Sequence, residues 1–201
     1  MPGKLPLASA LLVLLLAACA GPQSRPTTSA SWEDHSARLR ELTVWAADGK
    51  LALRSPQQSE SASFQWSQHG VITRLYLSGP LGVAATSLYS DGKTLTVRQG
   101  EDVATLDLTD SGELERRTGW DLPLLALPHW LKGLPAPGIA VQRMEPGPDP
   151  ALLQVLQQDN WEIHFEDYAN YGAMTLPTRL TIQRRDTTVR LIIRNWEAAS
   201  R

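Results

Sequence analysis

Residues that commonly carry chemistry are scarce in this 201-residue chain. It has one cysteine and four histidines, and no two histidines have the spacing of metal ligands. It contains no G-x-S-x-G turn, phosphate-binding glycine loop or H-E-x-x-H helix. The pair Glu166-Asp167 falls in a strand-like run, where neighbouring side chains point to opposite faces, which disfavours an acid/base couple. The sequence therefore predicts a protein that is not an enzyme and uses no metal or cofactor.

Net charge is also nearly absent. The formal charge of −2 supplies no long-range field for a polyanion, so we expect no nucleic-acid binding. The chain is long enough for one domain with its own core, and 42% apolar and 20% charged residues are ordinary for a globular protein. No internal repeat of fixed period occurs. We expect a single, monomeric domain.

A long apolar run is present at the N-terminus. Lys4 precedes an apolar stretch that ends in Leu16-Ala17-Ala18-Cys19. A transmembrane helix is the alternative, but residues 5–18 fall short of the roughly 17–25 that span a bilayer. A redox role for Cys19 lacks the partner residues that such thiols need. The pattern predicts a lipoprotein signal peptide over residues 1–18, cleaved before a lipidated Cys19.

Residues 19–31 predict a flexible tether. They are rich in Pro, Ser and Thr, and a coil of twelve residues reaches roughly 20 Å. The residue after Cys19 is Ala20 rather than Asp, and this favours the outer membrane over the inner one. We expect residues 32–201 to form the domain, held at the periplasmic face of the outer membrane.

The remainder predicts one helix followed by strands. Ser31 can cap a short amphipathic helix that carries Glu33 and Asp34 in its first turn. Period-two alternation and turn residues then predict eleven strands. Their expected ranges are 44–54, 60–68, 71–78, 82–89, 93–98, 102–108, 139–145, 151–157, 160–168, 176–184 and 187–196. The short connections require neighbouring strands to be antiparallel.

Two helical segments are predicted over residues 110–134. The second, from about Asp121 to Lys132 with Pro123 in its first turn, is apolar around most of its circumference. Either it packs deeply on the sheet or it forms a lid over an apolar cavity. The fold class is thus mainly β with a helical lid: a curled antiparallel sheet, an incomplete β-barrel of about 11 strands, covering a hydrophobic cavity.

Several motifs, in order and spacing, resemble the LolB family of outer-membrane lipoprotein receptors and insertion factors. They are the lipobox at Cys19, Trp45-x3-Gly49, Phe64-Gln65-Trp66, Gly79-Pro80-Leu81-Gly82, Gly119-Trp120-x2-Pro123, Leu127-x2-Trp130-x2-Gly133-x-Pro135, Trp161-x6-Tyr168-x2-Tyr171, Leu176-Pro177 and Asn195-Trp196. The resemblance covers essentially the whole mature chain. The lipobox distinguishes it from the soluble periplasmic LolA carriers, which share the fold.

The resemblance implies a function. Such a protein accepts lipoproteins from a LolA-type carrier, binds their acyl chains in a hydrophobic cavity, and inserts them among the outer-membrane lipids. The resemblance also assigns membrane insertion to the loop formed by Gly79, Pro80, Leu81 and Gly82. Alternation and family likeness together give the cavity candidates Phe64, Trp66, Leu75, Leu77, Trp120, Leu124, Leu127, Trp130, Leu131, Trp161, Ile163 and Trp196.

Three alternatives stay open at this point. The protein could instead be a structural or scaffold lipoprotein of the envelope, with its helical segment simply packed. Leu81 could equally fold back onto the rim of the sheet, where its burial contributes about 1.5–3 kcal/mol to stability. Any of the cavity candidates could be ordinary core.

Overall fold

The computed structural model describes residues 31–56, 59–79, 85–108 and 123–198. It shows a helix α1 (Trp32–Glu41), a short helix α2 (Leu127–Trp130) and one sheet of eleven antiparallel strands. The strands are β1 (Val44–Arg54), β2 (Ser59–His69), β3 (Ile72–Ser78), β4 (Thr86–Ser90), β5 (Thr94–Gln99), β6 (Asp102–Asp107), β7 (Val141–Pro146), β8 (Leu153–Gln158), β9 (Trp161–Tyr171), β10 (Met174–Arg184) and β11 (Thr187–Ala198). Every predicted strand is present, which confirms the predicted fold class.

The sheet is open. Its order is β6-β5-β4-β3-β2-β1-β11-β10-β9-β8-β7, so β6 and β7 are its two edges. Two meanders, β1 to β6 and β7 to β11, are joined where β1 pairs with β11. Residues 108–140 connect the two edges. Among the described residues, the sheet is therefore not closed into a complete barrel.

Alternation divides the sheet into a packed inner face and a polar outer face. In β9, for example, Trp161, Ile163 and Phe165 are buried. The same inner face of β11 buries Val189, Leu191 and Ile193. These side chains belong to one core cluster that runs from Leu39 to Trp196. The chain from Ser31 onward thus contains every strand and the whole described core.

Gly49 allows the two meanders to join closely. The register between β1 and β11 shifts between Asp48 and Gly49, which marks a bulge. A Cβ atom at Gly49 would lie 2.0 Å from the carbonyl oxygen of Ile192 and 2.9 Å from the Phe64 ring. Only glycine leaves room for the backbone of β11 at this point.

Helix α1 begins as the sequence predicts. The Ser31 hydroxyl accepts a hydrogen bond from the backbone N–H of Asp34 at 3.2 Å, and Glu33 and Asp34 occupy the first turn. The helix buries His35, Ser36 and Leu39. Its C-terminus leads directly into β1, which places it over one end of the inner face.

The predicted helix over 121–132 is wrong in extent. From residue 123 onward, where the description of this segment begins, the structure has the four-residue α2 with turns at residues 124–126 and 131–133. Pro128 lacks the N–H that a continuous helix would use, and Gly133, at φ 78°, ends the segment in the left-handed region. The first predicted helical segment, up to Gly119, lies outside the described residues.

Candidate functional site

A cavity of about 470 Å³ lies between α1, the inner face of the first meander and the connecting segment around α2. Its wall is mostly apolar. The apolar lining residues are Leu42, Trp45, Trp66, Val71, Leu75, Leu88, Leu95, Leu108, Leu124, Leu125, Pro128 and Pro137. Its size falls within the range of about 300–1,000 Å³ usual for small-molecule sites.

One row of inward-facing residues explains how the sequence builds this wall. Directly paired positions run across seven adjacent strands of the sheet. In order they are Trp196, Ala47, Trp66, Leu75, Leu88, Val97 and Ala104. Period-two alternation of apolar residues in each strand, combined with this register, produces a continuous apolar stripe.

Three tryptophans meet where the stripe crosses β1. The Trp45 ring stacks on that of Trp66 at 6.0 Å and contacts that of Trp196 at 5.1 Å. The indole N–H of Trp66 donates to Gln68 Oε1, and that of Trp196 donates to the Pro177 carbonyl, both at 2.9 Å. With these polar groups satisfied inside the protein, Trp45 and Trp66 present ring surface to the cavity.

The segment around α2 is fastened to the sheet by Gln158. This fully buried amide accepts hydrogen bonds from Trp130 Nε1 and the Ala136 N–H, both at 2.8 Å. It donates to the carbonyls of Ala136 at 3.0 Å and Ile139 at 2.8 Å. All four hydrogen-bonding positions of the amide are thus used. The covering segment is therefore held to β8 at specific points as well as packed.

Basic residues gather at one end of the cavity. Arg40, His129 and Lys132 line it, whereas its described lining contains no Asp or Glu. Lys132 is 5% exposed, and its Nζ donates to the carbonyls of Leu39 and Leu42, both at 2.9 Å. Burial lowers the pKa of Lys132 to about 8. Burial, and then the charge of Lys132, lowers the pKa of His129.

A larger concavity of about 840 Å³ lies on the outer face of the first meander. Its lining is mixed: hydroxyl, amide, carboxylate and guanidinium groups and two tyrosines lie beside the apolar residues Phe64, Trp66, Leu75 and Leu88. The guanidinium of Arg74 lies over the ring of Tyr89, 5.5 Å from its centre. Charged and hydroxyl side chains are interspersed in this lining, whereas the lining of the inner cavity is mostly apolar, so the inner cavity is the candidate site for apolar ligands.

The sequence-based cavity candidates fall into three groups. Trp66, Leu75 and Leu124 line the inner cavity. Others are packed in the core, and Leu77 is half-buried against it. The core members are Phe64, Leu127, Trp130, Leu131, Trp161, Ile163 and Trp196. Trp120 lies outside the described residues. Contact of any of them with an acyl chain stays a prediction.

Several lining residues were not among the predicted candidates. Trp45, Leu88 and Leu95 alternate correctly within predicted strands, so the signal was present, but alternation does not say which inner-face residues border empty space. Arg40 and Lys132 come from segments that are distant in sequence. Nothing local in the sequence brings them to one cavity.

The predicted insertion loop occupies a hairpin. β3 and β4 are antiparallel neighbours with Leu77 opposite Thr86, and residues 79–85 connect them. Gly79 is described, whereas Pro80, Leu81 and Gly82 lie outside the described residues, as do Cys19 and the signal segment. Within the described ranges, no helix is long and apolar enough to cross a membrane. The same ranges contain no group of three or more potential metal ligands.

An open antiparallel sheet with an apolar cavity on its inner face defines the fold class of this chain. A solved structure of this class is a putative outer membrane lipoprotein-sorting protein domain from Vibrio parahaemolyticus. It superposes with a TM-score of 0.57 at 10% identity, covering 84% of this chain and 90% of that one. At this identity the likeness shows the fold alone.

Sequence similarity is more specific. The family model for the outer membrane lipoprotein LolB matches residues 43–196. The chain is 33% identical to the outer-membrane lipoprotein LolB of Cellvibrio japonicus, over 93% of this chain and 95% of that one. It is 35% identical to that of Alkalilimnicola ehrlichii, over 96% of each chain. The chain belongs to the LolB family.

Proposed function

We propose that this protein is an outer-membrane lipoprotein that receives other lipoproteins from a LolA-type periplasmic carrier and delivers them to the inner leaflet of the outer membrane. Membership of the LolB family supports the role, and relatives are named outer-membrane lipoproteins. The observation that carries the proposal is the apolar cavity beneath the α2 segment. The proposal includes anchoring of the protein to the outer membrane through a lipidated Cys19.

Energetics explain why such a protein is needed. Burial of an acyl chain contributes about 0.8 kcal/mol per CH₂ group, so a C16 chain exposed to water costs roughly 12 kcal/mol. An acylated protein therefore does not cross an aqueous space unassisted. A receptor without an energy source has to bind acyl chains better than the carrier but less well than a bilayer. The cavity has an apolar wall, which favours acyl chains, and a basic, partly polar end, which does not. We therefore expect its affinity for acyl chains to be lower than that of a bilayer.

A transfer assay with two matched variants tests the proposal. Leu125 borders the cavity and Val103 lies on the outer face of the edge strand β6, and each is 50% exposed. Leu125→Gln should weaken acceptance of an acylated lipoprotein from its LolA complex several-fold. Val103→Gln should leave acceptance unchanged, because it makes the same chemical change away from the cavity.

The measurement is the amount of lipoprotein that passes from the carrier to the chain from Ser31 onward, separated by affinity tag. Equal acceptance by both variants would place acyl binding elsewhere. No acceptance by the unmodified domain would leave a scaffold lipoprotein as the better account, with the covering segment simply packed.

A further inference from the structure

We propose that the basic end of the cavity binds the anionic head group of an amphiphile, a carboxylate or a phosphate, whose alkyl chain lies along the apolar wall. This inference rests on the proposed function, because it concerns the same cavity. It adds a class of ligand, since the acyl chains of a lipoprotein are joined through uncharged ester and amide groups. Lys132 is the main contact.

The hydrogen-bonding capacity of Lys132 leaves one donor for a ligand. An ammonium group has three N–H donors. Two of them go to the carbonyls of Leu39 and Leu42 at the C-terminus of α1. Among the described residues the third has no acceptor, although the side chain is about 95% buried and borders the cavity.

The charges around Lys132 also favour an anionic ligand. No described carboxylate forms an ion pair with Lys132, and burial alone accounts for the lowering of its pKa to about 8. Arg40 and His129 add further positive or protonatable groups at this end. The closest described partners of the buried ammonium are carbonyl dipoles only. A buried cation without a counter-ion is unfavourable, and an anion bound beside it would relieve this cost.

The remaining wall specifies the rest of the ligand. Beyond the basic end, the cavity is lined by Trp45 and by the stripe residues Trp66, Leu75 and Leu88. A ligand that satisfies both parts has one charged end and a flexible hydrocarbon chain. Fatty acids and phospholipids both fit, and either could be supplied by the membrane and displaced by arriving cargo.

The test compares probes that share one chain and differ in head group. Dibromostearate, the lysophosphatidate with the same dibrominated chain and the monoglyceride with that chain are titrated into the protein from Ser31 onward. Bromine quenches the fluorescence of Trp45 and Trp66, which border the cavity. The unmodified protein should bind at least one anionic probe about tenfold more tightly than the monoglyceride. The preferred anion distinguishes a fatty acid from a phospholipid.

Variants then assign the preference. Lys132→Met should remove it, so that the anionic probes bind no more tightly than the monoglyceride. Lys132→Gln, which retains side-chain N–H donors without the charge, gives the same reading if the methionine variant does not fold. Lys50→Met is the matched control, because Lys50 is exposed on the outer face of β1, and it should behave like the unmodified protein.

The contradicting results are distinct. Equal affinity for all three probes, or a preference that survives both Lys132 variants, would overturn this inference and leave Lys132 as a helix cap alone. Monoglyceride binding in that experiment would still support the proposed function. Failure of every probe to bind would count against the proposed function as well.

Discussion

Single residues decide how closely the two meanders meet and how the cavity is charged. Gly49 permits the bulge that brings β11 against β1, and Lys132 connects the covering segment to the end of α1. Neither residue contributes much apolar area. Gly49 matters because it leaves room for the backbone of β11, and Lys132 matters because it brings a positive charge to the cavity.

Gly49→Ala should destabilise the protein by about 3 kcal/mol. The added methyl group would lie 2.0 Å from the Ile192 carbonyl oxygen, and relieving this overlap requires the backbone of β1 or β11 to shift. Gly147→Ala is the control, because a Cβ there meets its nearest atom at 3.7 Å. Urea denaturation of both variants measures the difference. Equal stabilities would show that the bulge adapts at no cost.

Lys132 makes stability depend on pH in a defined direction. Its pKa is lowered to about 8 in the folded protein from 10.5 in the unfolded chain, so between these values the unfolded chain binds more protons. The free energy of unfolding should therefore rise with pH from about 8 to about 10.5, by up to about 3 kcal/mol. Below pH 8 this contribution should be constant.

Comparison with Lys132→Met isolates the effect, because the variant lacks only this one ionisable group. Urea denaturation at pH 7, 8, 9 and 10 should show the unmodified protein gaining stability relative to the variant. A constant difference across this range would mean that the folded and unfolded pKa values of Lys132 are the same.

At the scale of elements, the strands were predicted correctly from the sequence, whereas the helix in the covering segment was not. All eleven strands were predictable because alternation and turn residues are local signals, and Trp161, Ile163 and Phe165 share a buried face as expected. The long helix over 121–132 was not formed. An apolar segment between Pro123 and Gly133 has a helical composition, but Pro128 interrupts its hydrogen bonds and contacts such as Trp130 with Gln158 fix it by tertiary packing.

The hairpin between β3 and β4 carries the prediction for membrane insertion. If Leu81 meets lipid during delivery, Leu81→Glu should leave the melting temperature and acceptance from the carrier nearly unchanged but stop transfer to liposomes. Val103→Glu, on the exposed outer face of β6, should affect none of the three.

Thermal denaturation and the two transfer steps are measured separately. A lower melting temperature for Leu81→Glu, together with normal delivery, would instead indicate that Leu81 packs against the rim of the sheet.

At the scale of the whole molecule, the sheet order and the cavity depend on contacts that local patterns do not encode. The pairing of Leu51 with Leu191 joins residues from opposite ends of the domain, and nothing in either strand alone specifies it. Alternation separates the buried from the exposed face in a strand such as β9, but it does not separate cavity from core. Trp130 and Trp66 are both apolar and inward, yet only Trp66 borders open space.

The division of the sheet into an apolar inner face and a polar outer face gives the central claim its sharpest test. Leu95 and Thr96 are adjacent in β5, yet Leu95 lines the inner cavity and Thr96 the outer concavity. A lipoprotein whose acyl chain carries a photoreactive diazirine can be transferred to the protein, irradiated, and the cross-linked residues identified by mass spectrometry. Cross-links at Trp45, Leu95 and Leu124, which line the inner cavity and not the outer concavity, are the predicted result. Cross-links confined to outer-face residues such as Tyr76 and Tyr89 would contradict the account.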